Sequence, residues 1–527
     1  MSFISFKFVF FLLLVVFAYF IVPKSKQWVC LLIASYLFYM SGGIQSVLFI
    51  LLTTITVFFA GIRLEKQQVL LSEKLKSIKD AAEKKEEKAL CQKRKRRILT
   101  AAIAFNIGLL VLLKYAQLPI NSFFSSVTGS EKDILDIIVP LGISFYTLQS
   151  IGYLMELYRG KTKAEHNLAR FALFISFFPQ IMQGPISKYQ DLTKTLYGPH
   201  DFDYQRVRSG VLRIMWGYFK KLIIAERTGL VFRSIIEFYD INGLTGPVLF
   251  FAFIVYGFQI YSDFAGGMDI TLGISEIFGI QVVENFNRPY FSRNVAEFWQ
   301  RWHMTLGAWM RNYVFYPLAL SKPFNAFGKK IRGVFGSHAA KIIPTSIASF
   351  IVFLLVGIWH GTGYKYVAYG LYNAFFVSTA TLLEPMYEKA RKFFRVPESS
   401  FIWYLFQMGR TLLLVTIGRY FSSSTSFMKA LRLLKSTFFI DDTAFAYTTW
   451  PQVMQLGKLD AACITLAVLL MFAVDIFNER GVCVREKLVK KALPIRWAVY
   501  IACILCLAVF GKYGVGFDSG AFIYQGF

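Results

Sequence analysis

Charged residues are scarce in this chain. They make up 17% of its 527 residues, against roughly 25% in soluble domains. There are only six cysteines and five histidines. Cys503 and Cys506 lie one helical turn apart in a hydrophobic run, which favours small packing residues over a disulfide or a metal site. The sequence contains no Gly-x-x-x-x-Gly-Lys-Ser/Thr, Gly-x-Ser-x-Gly or His-Glu-x-x-His. ATP-driven transport, classical serine hydrolysis and zinc proteolysis therefore have no support in the sequence.

Apolar residues dominate instead. The chain is 55% hydrophobic and 17% aromatic, its mean hydropathy is +0.48, and its apolar runs recur along the whole length. This pattern excludes a soluble enzyme, a disordered protein and a nucleic-acid-binding module as first interpretations. A spanning helix needs about 20 apolar residues, so we predict an all-α polytopic membrane protein with about 11–12 spanning helices. The candidate spans are 8–23, 27–41, 44–61, 98–114, 134–156, 210–235, 246–265, 343–360, 364–383, 400–420, 459–477 and 495–513.

Two further segments qualify this prediction. The apolar stretch 166–186 is interrupted by Pro179, Gly184 and Pro185, which favours a re-entrant or interfacial segment. Segment 284–335 is a basic cytoplasmic or re-entrant loop that contains His303. With no fixed-period repeat and no low-complexity linker, residues 1–527 are predicted to form a single membrane domain.

Positive charge is concentrated between the apolar runs. The chain has 58 Lys and Arg against 32 Asp and Glu, and segment 62–97 alone holds 13 basic and 6 acidic residues. Such segments are typical of cytoplasmic loops near anionic lipid. We therefore predict that 62–97 is a cytoplasmic helical loop of a plasma-membrane protein, that both chain termini are external, and that no nucleic acid is bound.

Ionisable side chains within or beside apolar runs raise functional hypotheses, because charge in a bilayer is costly. Asp263 and Asp269 could bind a cation, orient a histidine or pair with a basic residue. His303 lies in an alternating aromatic and basic segment, where an interfacial anchor is the simpler interpretation. His360 closes an apolar run between glycines, and a buried neutral imidazole there can act as a general base or serve only structurally.

Several motifs, taken in their order, resemble the membrane-bound O-acyltransferase (MBOAT) family. They are Val139–Tyr146, Phe177–Ile186, Tyr261–Asp269, Glu284–Tyr290, Phe298–His303 and Trp359–Gly361. Within the family, the chain is most similar to the bacterial branch that acylates cell-envelope polymers. The resemblance implies a helical fold around a tunnel between a cytoplasmic donor and an external acceptor.

The resemblance also implies roles for individual residues. His360 would be the essential catalytic histidine and the general base, and His303 the second family histidine, which hydrogen-bonds the thioester carbonyl or orients the donor. Acetyl-CoA or another acyl thioester would be the donor substrate, with no bound cofactor and no metal. Supporting or tunnel positions would be Trp302, Trp359, Asp263, Gln183 and Asn373. Relatives often have a histidine at the position of Asn373. Arg288, Arg301 and Arg311 would suit the phosphates of the donor, although they would equally suit anionic lipid.

The C-terminal segment 520–527 resembles the tyrosine motif of the polysaccharide O-acetylation branch, although its Gln525-Gly526 step is less aromatic than expected. By that resemblance, Tyr524 would carry the acyl group to an external SGNH-type partner, which passes it to a cell-envelope polysaccharide. A frayed aromatic end is the structural alternative. Two other functions stay open, namely D-alanyl transfer to teichoic acids and a non-enzymatic transporter or lipid scaffold.

Overall fold

The computed structural model describes residues 1–116, 120–121, 124–126, 140–243, 245–361, 363–438, 454 and 456–513. All regular elements in these ranges are helical, and no strand occurs among them. The predicted all-α class is therefore confirmed. Tyr524 and the predicted C-terminal motif lie outside the described residues.

Seven helices of the described chain are long and apolar enough to cross a membrane. They are Ile44–Ser77, Ala81–Ala116, Pro247–Phe278, Ile342–His360, Phe401–Ser423, Lys458–Glu479 and Leu493–Phe510. Two shorter apolar helices cover Phe6–Ile21 and Leu168–Gln183. A polytopic helical membrane protein is thus confirmed.

The seven helices are fewer than the predicted spans, for local reasons. Predicted span 27–41 forms a helix of only 14 residues, Gln27–Met40. Predicted span 210–235 is interrupted by the π-helical segment Phe219–Ala225, which carries two buried lysines. These stretches are apolar by composition, but they are shorter or more charged than a bilayer-crossing helix should be.

The chain divides into two compact units, of which the first comprises residues 1–210 and 271–283. Its helices are α1 (Phe6–Ile21), α2 (Gln27–Met40), α3 (Ile44–Ser77), α4 (Ala81–Val111), α5 (Ile143–Tyr158), α6 (Leu168–Ser176), α7 (Phe178–Gln183) and α8 (Tyr189–Leu196). The basic segment 62–97 is helical except at residues 78–80. It forms the end of α3 and the start of α4, where the Asp80 side chain caps α4 by accepting a hydrogen bond from the Glu83 amide.

The predicted break in 166–186 is present as the junction of α6 and α7. Asn167 caps α6, and Pro179 stands in the first turn of α7, where its missing N–H costs no hydrogen bond. The hydroxyl of Thr271 donates to the Pro179 carbonyl at 2.8 Å. Both short helices are mostly buried, so protein groups rather than lipid surround this irregular backbone.

The second unit comprises residues 211–270 and 284–527. Helices α9 (Tyr204–Tyr218) and α11 (Pro247–Phe278) contribute residues to both units, and α10 is Glu226–Asn242. The remaining helices are α12 (Val295–Arg301), α13 (Met304–Met310), α14 (Tyr316–Ala319), α15 (Lys322–His360), α16 (Tyr364–Leu382), α17 (Glu384–Phe393), α18 (Phe401–Ser423), α19 (Phe427–Phe438), α20 (Lys458–Glu479), α21 (Val484–Val489) and α22 (Leu493–Phe510). The predicted loop 284–335 is thus a succession of short helices that leads into α15.

Helix α15 ends at His360, and α16 packs closely against it. A Cβ atom on Gly357 of α15 would lie 2.3 Å from the Tyr366 carbonyl oxygen, and one on Gly370 of α16 would lie 2.6 Å from the Phe353 carbonyl oxygen. Only glycine permits two backbones to come this close. This contact fixes the end of α15, and with it His360, against α16.

Candidate active site

His303 occupies a sharp turn between α12 and α13. Its φ of 47° places it in the left-handed region, which a residue with a Cβ seldom adopts. Two bonds to Asn285 hold this turn. The Met304 amide donates to the Asn285 carbonyl at 2.9 Å, and His303 Nδ1 lies 3.2 Å from Asn285 Oδ1. Strained backbone of this kind is often found at functional sites.

His360 and His303 belong to one buried aromatic cluster, since only 6% of His303 and 7% of His360 are exposed. The indole ring of Trp359 bridges them, with ring centroids 6.0 Å from His303 and 5.0 Å from His360. Tyr369 of α16 also makes an edge contact with His360, with ring centroids 5.9 Å apart. The structure thus brings together two residues that are 57 positions apart in sequence and both predicted to be catalytic.

Burial changes the protonation of His303. Removal from water, with a smaller contribution from repulsion by nearby His360, lowers the pKa of His303 to about 3. His303 is therefore a neutral imidazole at physiological pH. A neutral ring has one donor nitrogen and one acceptor nitrogen, so it can accept a proton or a hydrogen bond.

Trp302, which precedes His303 in the chain, packs in an aromatic cluster. It is 4% exposed and stacks on Phe298 with ring centroids 5.6 Å apart, while Phe286 meets it edge-on at 5.0 Å. Phe264 of α11 contacts the His303 ring edge-to-face at 4.9 Å. Phe264 and Trp359 place apolar rings against the imidazole, and this burial is the larger cause of its depressed pKa.

Asn373 is buried, and both ends of its side-chain amide are hydrogen-bonded. Its Oδ1 accepts from Trp299 Nε1 at 3.0 Å, and its Nδ2 donates to the Tyr369 carbonyl at 2.8 Å. Trp299 lies in α12, four residues before His303. The arrangement assigns Asn373 a positioning contact between α12 and α16.

The two aspartates of α11 form ion pairs with the π-helical segment Phe219–Ala225. Lys221 Nζ lies 2.5 Å from Asp263 Oδ1, and Lys220 Nζ lies 2.5 Å from Asp269 Oδ2. Arg213 Nε adds a second contact to Asp269 at 3.0 Å. Of the alternatives raised by the sequence, pairing with basic residues is the one that these contacts match.

Arg288 and Arg301 share one carboxylate. Arg288 Nε lies 2.6 Å from Glu479 Oε2, Arg301 Nη1 lies 2.9 Å from Glu479 Oε1, and Arg301 Nη2 lies 2.8 Å from Glu297 Oε1. Two carboxylates therefore balance the two guanidinium charges. Arg311, by contrast, is exposed at the start of the π-helical segment Arg311–Phe315.

Gln183 belongs to the first unit. It ends α7 and is 6% exposed, and both polar atoms of its amide lack a hydrogen-bond partner in the described structure. A buried amide in this state is costly unless water or a ligand meets it. Elsewhere, no group of three or more His, Cys, Asp or Glu suited to a metal ion is found in the described ranges.

Sequence reasoning missed three residues of this site. Asn285 lies within the quoted Glu284–Tyr290 motif, but no role was predicted for it. Lys220 and Lys221 lie in a predicted apolar span, where two adjacent lysines are themselves a signal of a buried charge pair. For Asn285, its place in an aromatic motif gives no such signal, because its partners are distant in sequence.

The fold and the histidine cluster together define a polytopic helical membrane protein with a buried, apolar-walled imidazole pair. Residues 163–417, which contain both histidines, match the model of the MBOAT, membrane-bound O-acyltransferase family. We therefore assign this region to that family. Tyr524 lies beyond the matched region.

Curated relatives agree with this assignment. The chain is 29% identical over 375 residues to a probable alginate O-acetylase of Pseudomonas aeruginosa. This match covers 70% of this chain and 63% of the relative. It is 28% identical to a peptidoglycan O-acetyltransferase of Helicobacter pylori, over 54% of this chain and 55% of the relative. It is 33% identical to a teichoic acid D-alanyltransferase of Bacillus subtilis, over 47% of this chain and 60% of the relative. Each match spans less than two thirds of the relative's length.

Proposed function

We propose that this protein is a membrane O-acyltransferase that moves an acyl group, namely acetyl, from a cytoplasmic thioester to an acceptor on the other side of the membrane. The observation that carries the proposal is the buried cluster of His303, Trp359 and His360 inside the family-matched region. Similarity to alginate and peptidoglycan O-acetylating enzymes supports an extracellular or cell-wall polysaccharide as the final acceptor.

In the proposed reaction, an acceptor hydroxyl attacks the thioester carbonyl. A new carbon–oxygen bond forms, the carbon–sulfur bond breaks, and the hydroxyl proton passes through His360 to the departing thiolate. A positioned general base of this type typically contributes 10²–10⁴-fold to the rate. The reaction needs no bound cofactor, because the thioester is already activated.

Tyr524 is the proposed first acceptor. A phenol has a pKa of about 10 and is more acidic than a sugar hydroxyl, and its ester is a more reactive donor for the next transfer. This relay requires an external C-terminus, as the distribution of positive charge predicts. An SGNH-type partner outside the cell would then complete the transfer to the polymer.

The arginines are proposed to attract the donor. Arg288, Arg301 and Arg311 would provide positive charge for the phosphates of coenzyme A or for anionic lipid. Since Glu479 and Glu297 already neutralise the first two, Arg311 is the best placed of the three to meet a phosphate. The tunnel and the single-domain organisation of 1–527 remain predictions.

D-alanyl transfer to teichoic acids is the second candidate, and it is favoured by the 33% identity to a D-alanyltransferase. It differs from the first candidate in its donor, which would be a carrier-protein thioester rather than acetyl-CoA. A transporter or lipid scaffold is the third candidate. It would not need the histidines.

The test uses purified protein in lipid nanodiscs with isotopically labelled acetyl-CoA, followed by peptide mapping by mass spectrometry. The proposal predicts label on Tyr524 that is absent from the His360→Ala and Tyr524→Phe variants. Label on another residue would retain the acyltransferase but reject the tyrosine relay. If label appears only with a D-alanyl carrier-protein donor, the second candidate replaces the first.

A further inference from the structure

Asn285 is completely buried, and its side-chain oxygen faces three hydrogen-bonding groups. Thr305 contributes two of them, its backbone N–H at 3.0 Å and its hydroxyl at 2.9 Å from Asn285 Oδ1. His303 Nδ1 is the third, at 3.2 Å. On the other side, Asn285 Nδ2 points to Met268 Sδ of α11 at 3.6 Å.

These contacts settle the orientation of the Asn285 amide. A backbone N–H can only donate, so the atom that faces the Thr305 amide must be the oxygen and not the NH₂ group. The amide nitrogen is thereby directed to the methionine sulfur, which is a weak acceptor. The geometry leaves one assignment of Oδ1 and Nδ2.

The same contacts settle which nitrogen of His303 carries the proton. An amide oxygen only accepts, so His303 Nδ1 must donate to it and must therefore be protonated. In a neutral imidazole the second nitrogen then has a lone pair and no proton. We infer that Asn285 is a positioning residue that holds His303 in the Nδ1–H tautomer, so that Nε2 acts as a hydrogen-bond acceptor in acyl transfer. This inference rests on the proposed function and makes it more specific.

The inferred role differs from the one that the family resemblance suggested. A histidine that stabilises the thioester carbonyl must donate a hydrogen bond, and Nδ1 is already committed to Asn285. Nε2 with a lone pair can instead receive a hydrogen bond from the attacking hydroxyl or from the partner histidine. Stabilisation of the carbonyl oxygen must then come from another group.

The surroundings support a neutral ring. The α11 groups against this site are Phe264, which contacts the His303 ring, and Met268, which contacts Asn285, and neither titrates. Trp359 covers another edge of the ring. His360 is the titratable group that acts on His303, and its repulsion disfavours a positive charge there.

The direct test is nitrogen-15 NMR of the ¹⁵N-histidine-labelled full chain in nanodiscs at pH 7. The His303 signals are identified by their loss in His303→Gln. The inference predicts a protonated Nδ1 and an unprotonated Nε2. A proton on Nε2, or on both nitrogens, would overturn it, and this readout needs no activity.

The functional test compares Asn285→Asp with Thr305→Val. The aspartate keeps an acceptor oxygen for all three donors but adds a negative charge beside the imidazole, which stabilises the protonated ring; an opposite charge at this range moves a pKa by 1–3 units. The acid limb of the kcat–pH profile should move to higher pH by about one unit or more. Thr305→Val removes one donor to the same oxygen but keeps the histidine contact, so its acid limb should stay in place.

Two results would contradict the inference. One is an acid limb that Asn285→Asp does not move, and the other is a faster reaction at low pH, which a proton-donating His303 would give. If no thioester turns over in the wild-type protein, the proposed function fails, while the NMR result still decides the tautomer. Failure of Asn285→Asp to fold likewise leaves the wild-type spectrum as the deciding measurement.

Discussion

The contact between Gly357 and the backbone of α16 gives a prediction about catalysis from packing alone. Gly357→Ala would place a Cβ 2.3 Å from the Tyr366 carbonyl oxygen and 3.1 Å from the Gly370 backbone. Ordinary contacts begin at 3.4 Å, so the helices must separate by about 1 Å. Overpacking of this size typically costs about 1–3 kcal/mol of stability.

The separation should also affect the reaction, because His360 lies one helical turn after Gly357. A misplacement of about 1 Å at a reacting group can reduce a rate by about 10²-fold. We therefore expect Gly357→Ala to lower thioester turnover by one to two orders of magnitude, with a modest fall in the melting temperature. The assay measures free thiol released from acetyl-CoA by the nanodisc-embedded protein, beside its thermal unfolding.

Gly333→Ala is the matched control. It lies in the part of α15 before the backbone kink at Gly336, and a Cβ there meets nothing within 4 Å. Replacing an exposed helical glycine with alanine should stabilise by about 0.5–1 kcal/mol and leave turnover unchanged. Wild-type turnover in Gly357→Ala would refute the reasoning, since it would mean that α15 and α16 do not fix His360.

Three further changes test the charges of the second unit. Lys221→Met removes the ammonium beside buried Asp263 and should lower the free energy of unfolding by about 3–5 kcal/mol. As the control, Lys429→Met at a partly exposed ion pair should lower it by at most about 1 kcal/mol. Chemical unfolding measures both variants, and equal decreases would contradict the buried pair. Arg311→Ala should raise the KM for acetyl-CoA about 3–10-fold and leave kcat unchanged, and an unchanged KM would remove Arg311 from donor binding. His303 binds a proton near pH 6.5 in the unfolded chain but only near pH 3 in the folded protein, so the free energy of unfolding should decrease by up to about 1.4 kcal/mol for each pH unit below 6.5. In His303→Gln, unfolding measured at pH 7 and pH 5 should lack this contribution to the pH dependence. An identical pH dependence in wild type and variant would contradict the low pKa.

Much of the fold follows from the composition of the chain. Apolar runs of sufficient length predict helices such as Pro247–Phe278, and the prolines and glycine of 166–186 predict its break. The number of spans was harder to predict, because an apolar run does not reveal how long its helix is or whether a π-turn with lysines interrupts it. The number of residues in each helix is set by tertiary packing, and hydropathy carries no information about this packing.

Only part of the candidate site could be predicted from the sequence. His303 and His360 could be selected because the chain has few histidines and only these two lie in aromatic, membrane-adjacent settings. The role of Asn285 depends on contacts with Thr305 and His303, about 20 residues away, that no local pattern contains. The partners of Arg288 and Arg301 are equally distant, since Glu479 follows them by more than 170 residues.

The central claim is that the buried histidine pair transfers an acyl group from a thioester. Its most direct test is the rate of thiol release from acetyl-CoA and from a D-alanyl carrier protein by wild type, His360→Ala and His303→Ala in nanodiscs, with Gly333→Ala as the folded control. The account predicts turnover of one donor that falls by at least 10²-fold in His360→Ala. Equal turnover in the wild type and His360→Ala, or none with either donor in any protein, would contradict it.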